Sequence, residues 1–164
     1  MSYTLAVIDP KDEFRDRQKF LAWFDERTAW QDGLDYNDPA NASPALQAWF
    51  REMVETFPPL NGPLRPAADD FVRGEWAADY SIGTNMIYVA FPAGKAGIGD
   101  ELSHRLAAKH GVGLYEASGG GEVWFPSGDG ILQIVHRGDD NVSAVDVAAR
   151  LLNQLRGVGS GKKE

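Results

Sequence analysis

The stretch Trp76-Ala-Ala-Asp-Tyr-Ser-Ile-Gly-Thr-Asn-Met-Ile-Tyr-Val-Ala-Phe91 decides the fold class. Trp76, Ala78, Tyr80 and Ile82 alternate with Ala77, Asp79 and Ser81, and Met86, Tyr88 and Ala90 alternate with Ile87, Val89 and Phe91. Period two is the signature of β-strands, because successive side chains leave the backbone on opposite faces. Gly83-Thr84-Asn85 separates the two runs with turn-forming residues, so an antiparallel hairpin is expected.

Downstream of the hairpin, Pro92 to Gly99 leads into a helix on which Ile98, Leu102 and Leu106 recur every fourth position, with Gly111 placed to cap it in the left-handed conformation. Three more strands are expected over Gly113–Ala117, Glu122–Phe125 and Ile131–His136, the last two forming a hairpin. Ser143 and Asp146 then fit a capping box ahead of a final helix carrying Val145, Ala148, Ala149, Leu152 and Leu155. Gly157–Glu164 reads as a mobile tail.

Upstream, Leu60 to Gly74 has no periodicity and contains Pro63, Pro66 and Asp69-Asp70, which predicts a long connection lining a site or an interface. Before it, Ser43-Pro44 opens the clearest helix, with Leu46, Trp49, Phe50, Met53, Val54 and Phe57 at helical spacing, and Pro58-Pro59 closes it. Gln31–Asn41 is a loop of turn formers. Phe20, Trp23 and Phe24 share one side of an expected helix over Asp12–Thr28, and Tyr3–Ile8 is a first strand stopped by Asp9-Pro10. The expected fold is therefore α+β: a mostly antiparallel sheet of about five to six strands packed with four helices, as one domain over 1–156 with the tail at 157–164.

The 164 residues suit one domain, and 43% hydrophobic with 24% charged residues is the composition of a folded chain. No cysteine is present, which removes disulfides, thiolate zinc sites, iron–sulfur clusters and cysteine nucleophiles. The opening residues lack the pattern of a secretory signal and no apolar run approaches ~20 residues, so a cytoplasmic location is expected. A formal charge of −8 repels phosphate backbones and anionic lipid, which argues against nucleic acid and membrane and for a basic protein partner.

No catalytic constellation emerges. His104 and His110, six apart, point about 120° away from each other around a helix, and His136 closes a strand where it could meet a carboxylate, although a lone histidine at a strand end is usually structural. Ser118 and Ser127 lack the glycine two residues earlier that a nucleophile elbow requires, and Gly157-Val-Gly-Ser-Gly-Lys162 has the wrong spacing for a phosphate loop. Glu75 with Asp79, and Glu116 with Glu122, are carboxylate pairs that could hold a hard cation, but solvated charges on exposed positions are the simpler expectation. No enzyme, metal or cofactor is therefore expected. Trp30, Tyr36 and Trp124 border polar loops and resemble exposed interface anchors.

The opening Met-Ser-Tyr-x-Leu-Ala-Val, the Trp76 segment followed by Ile87-Tyr-Val-Ala-Phe91, and Leu106-Ala-Ala-Lys-His-Gly111-Val-Gly-Leu-Tyr115 resemble a group of small, mostly uncharacterised bacterial α/β proteins, over roughly Met1 to Pro126. The group usually has Asp where this chain has Glu116. The resemblance implies an immunity protein, which binds and neutralises a cognate interbacterial toxin, a type VI secretion effector being one such toxin. Independently, an acidic inert surface suits a plug for a basic cleft. The contact is expected on the loop with Trp30, Asp32, Asp35, Tyr36 and Asp38, and on the segment with Asp69, Asp70, Glu75 and Asp79. The alternatives are a small-ligand sensory or scaffold domain, and a small enzyme with a site near His136.

Overall fold

The computed structural model describes residues 2–138, and within them six strands and four α-helices build the expected α+β fold. Strands β1 (Tyr3–Ile8), β2 (Asp79–Ile82), β3 (Met86–Phe91), β4 (Gly113–Tyr115), β5 (Val123–Ser127) and β6 (Ile131–His136) form one sheet in the order β2-β3-β1-β4-β5-β6. Every pairing is antiparallel. The helices are α1 (Arg17–Arg27), α2 (Pro44–Thr56), α3 (Phe71–Glu75) and α4 (Ala96–His110). The expected final helix with its Ser143–Asp146 box, and the tail from Gly157, lie outside the described residues.

Both faces of the sheet are covered, and the alternation along β1 shows how. Leu5 and Val7 join α2 and α4 in a core with Trp49, Met53, Phe57 and Leu106, whereas Ala6 and Ile8 face Phe14, Phe20 and Phe24 on the other side. Leu5 to Ile8 are wholly buried. A strand flanked by helices on both faces has no side for polar residues, which is why this one reads as an unbroken apolar run.

The elements with strong local signals stand where the sequence places them. α2 begins at Pro44 with the Ser43 hydroxyl accepting from the Leu46 amide, and α4 ends on Gly111 at φ 69°. Other expectations change. The single helix over Asp12–Thr28 is split: a 3-10 turn over Asp12–Arg15 precedes α1, because the Asp16 side chain accepts from the amides of Gln18 and Lys19 and starts a new helix. The connection after Leu60 contains α3, capped by Asp70 accepting from the Arg73 amide. Ile98 is 47% exposed, so the buried face of α4 runs instead through Gly99, Ser103, Leu106 and Ala107.

The strand expected from Trp76 begins only at Asp79, because backbone at Pro58–Leu60 takes the bonding groups of Ala78. The Ala78 amide donates to the Pro58 carbonyl at 2.9 Å and its carbonyl accepts from the Leu60 amide at 2.9 Å. At the other end of β2 the Ile82 amide donates to the Tyr36 carbonyl at 2.8 Å. Two loops thus shield an edge that would otherwise present free ladder groups.

Candidate functional site

Of the two segments expected to face a partner, the first is bonded to this edge at Ile82 and the second runs into it at Asp79. Tyr36 is tied to Ile82, and the Asn41 side-chain amide donates to the carbonyls of Asp35 (2.7 Å) and Ile82 (3.0 Å). Asn37 and Pro39 from that first loop line one narrow cleft with Asn61, Pro63 and Leu64, which precede the second expected segment. Asp32, Asp35 and Asp38 remain exposed, although each also serves its own turn: Asp32 accepts from the Tyr36 hydroxyl, Asp35 from the Asn37 amide and Asp38 from the Ala40 amide. Burial, together with Asp32, raises the Tyr36 pKa, so its hydroxyl stays protonated and donates.

Farther along, Asp69, Glu75 and Asp79 are exposed, while Asp70 is half-buried in its cap. Leu60, Pro66, Ala67, Phe71, Gly74 and Glu75 border an open groove of about 440 Å³. Phe71 on its border is 79% exposed, and the adjacent Val72 is 75% exposed. The sequence reading passed over both, because nothing local distinguishes an apolar residue bound for the core from one left outside. Exposed single apolar residues are ordinary, but here two large ones stand side by side.

The aromatic anchors expected at the polar loops are less exposed than that. Trp30, at φ 52° and the only non-glycine residue with positive φ among those described, packs edge-on against Tyr36 at 4.9 Å and Tyr88 at 6.4 Å. Trp124 packs against the main core and, edge-on, against His104 at 5.2 Å. Both are half-buried, as is Tyr36. Their rings close the core at its rim, and Phe71 and Val72 are far more exposed.

A second cluster gathers at the opposite side of β1. His104 Nε2 lies 3.2 Å from Glu116 Oε1 and 3.4 Å from Asp100 Oδ1. Asp100 and His104 share a face of α4, one turn apart, and Glu116 follows β4, which returns beside the helix after the reversal at Gly111. Tyr3, at the start of β1, donates its hydroxyl to Asp100 Oδ1 at 2.8 Å. Burial, then Asp100, Glu116 and Glu122, push the Tyr3 pKa up, which keeps that proton in place. For His104, burial works against protonation, but the bond to Glu116 and the charges of Asp100, Glu116 and Glu122 outweigh it, and the pKa is raised. Glu116, expected as a solvated partner of Glu122, is instead half-buried against His104.

The other histidines have separate roles. His110 Nε2 and Lys109 Nζ both contact Glu52 Oε1, at 3.0 and 2.6 Å, joining α4 to α2. His136 Nε2 lies 2.6 Å from the Phe14 carbonyl, where it latches β6 to the 3-10 turn. No helix among the described residues is long and apolar enough to cross a membrane. Comparison with protein families, curated proteins and solved structures finds no match to this chain.

Proposed function

We propose that the protein is a non-catalytic binding module, an immunity protein that neutralises a cognate interbacterial toxin, such as a type VI secretion effector, by covering its basic active-site cleft. The observation that carries the reading is the exposed Phe71–Val72 pair, with Phe71 lining a groove, on a segment that carries Asp69, Asp70 and Glu75 around Arg73. An apolar anchor that a partner can desolvate contributes affinity, while nearby charges select the partner and speed encounter. The formal charge of −8 favours a basic partner and would speed encounter by ~10- to 1,000-fold at low salt.

Protection of a cell requires an affinity near ~1 nM, about −12 kcal/mol, which an interface of ~1,600 Å² can supply. The exposed acids of the loop with Asp32, Asp35 and Asp38 and the exposed side chains of α3 are the surfaces offered for it. The experiment is co-expression with the toxin encoded beside this gene. Growth is restored by the wild-type protein and lost with a Phe71→Asp, Val72→Asp double variant whose thermal melt is unchanged. Cells that die equally with or without the wild-type protein would end the proposal.

A further inference from the structure

We infer that Asp100, His104 and Glu116 form a binding site for one divalent transition-metal ion, with zinc the best match. The three side chains each offer one donor atom, and those atoms lie within 4.8 Å of one another. Zinc bonded at ~2.0–2.1 Å in tetrahedral geometry holds its donors about 3.3 Å apart. The two distances from His104 Nε2, 3.2 and 3.4 Å, bracket that edge.

A hydrogen bond alone accounts for less of this arrangement. One imidazole N–H can be directed at only one acceptor, and the Nε2 bond goes to Glu116, leaving Asp100 alongside at ion-pair distance. A cation between the three satisfies both carboxylates at once. The charge balance points the same way. Glu122 adds a third negative charge to the cluster, and among the described residues no lysine or arginine is within ion-pair distance of Asp100, Glu116 or Glu122.

The surroundings fix the donors in advance. Tyr3 donates to Asp100 Oδ1, the same oxygen that faces His104 Nε2, and so fixes where that carboxylate stands. The backbone of Glu116 is bound on both sides: its amide donates to the Glu122 carbonyl at 3.0 Å, and its carbonyl accepts from Gly119 and Gly121. Ser118 clamps the same turn onto Thr4 of β1, accepting from the Thr4 amide at 2.7 Å. The side chains of His104, Asp100 and Glu116 are 24%, 41% and 17% exposed, so an ion can enter and its remaining position can take water or a partner's oxygen or nitrogen.

One imidazole and two carboxylates suit zinc, and also manganese or cobalt, better than soft monovalent copper. The test is calorimetric titration of the chelator-treated full chain with Zn²⁺, followed by the absorption spectrum of the Co²⁺ form. One ion per chain is expected, and His104→Ala and Glu116→Gln should each weaken binding by at least ~10-fold, with Tyr3→Phe weakening it by ~10- to 100-fold. His110→Ala should leave it unchanged, which separates this site from the His110–Glu52 pair. Glu116→Gln preserves size, so it remains informative should His104→Ala misfold. Absence of binding by Zn²⁺, Mn²⁺ and Co²⁺, or equal binding by Glu116→Gln and the wild type, overturns the inference. Toxin protection is a separate readout, so either idea can fail alone.

Discussion

Two glycines on α4 provide a matched pair of substitutions with different outcomes. A Cβ built on Gly97 meets nothing within 4 Å, whereas one on Gly99 would sit 2.6 Å from two carbons of the Phe91 ring. Alanine in place of helical glycine lowers the entropy lost on folding and is worth up to ~1 kcal/mol, less near a helix end. Gly97→Ala should therefore stabilise by a few tenths to ~1 kcal/mol. At Gly99 the same gain meets an overpacking cost of ~1–3 kcal/mol. Phe91 cannot turn aside, because it is wholly buried with Phe57 at 4.9 Å and Tyr3 at 6.4 Å between ring centroids. Net destabilisation of up to about 2 kcal/mol follows, or roughly 2–4 °C of melting temperature per kcal/mol for a chain this size. Urea unfolding with equal slopes for the two variants is the assay. Gly99→Ala as stable as Gly97→Ala would refute the argument that contact with Phe91 sets how closely α4 approaches the sheet.

Further expectations concern single contacts. Ser43→Ala removes the cap of α2 and the 2.8 Å bond to Asp9, costing ~1 kcal/mol in denaturant unfolding; burial already raises the Asp9 pKa, and loss of the hydroxyl should raise it further by NMR titration. In metal-free protein the His104 imidazole, facing Asp100, Glu116, Glu122 and the Tyr3 hydroxyl, should titrate above its ordinary 6.5, and Glu116→Gln should lower the midpoint. With the folded pKa raised, its contribution to stability is complete below pH 6.5 and is lost as pH rises through the folded value; a stability profile with no fall over that window contradicts the assignment. Phe71→Asp alone should alter unfolding free energy by less than ~0.5 kcal/mol, since the side chain is 79% exposed; a larger loss would show that Phe71 supports the fold.

Legibility in the sequence followed the range of the interaction. β1, β3, β6 and α2 depend on residues within one element, and alternation, helical spacing, Ser43-Pro44 and Pro58-Pro59 delimit them. The break at Asp16 was also local, but the surrounding charges from Lys11 to Lys19 hide one capping aspartate among many polar residues. The loss of Trp76–Ala78 from β2 depends on backbone at Pro58–Leu60, which composition cannot show. Among the site residues, the acids at 32, 35, 38, 69, 75 and 79 proved exposed as expected, yet Phe71 and Val72 went unnoticed. The Asp100–His104 spacing was visible, whereas Glu116 joins them only because the chain reverses at Gly111.

The position of β1 bears on how the chain is made. Ala6 lies between Tyr88 and Tyr115, and Thr4 is fastened to Ser118, 114 residues later. During synthesis the first strand therefore leaves the ribosome long before either neighbour exists, exposing two bare edges and the apolar run Leu5 to Ile8. Closure around it is a non-local step, which favours slow folding and leaves the strand exposed to aggregation until it is complete.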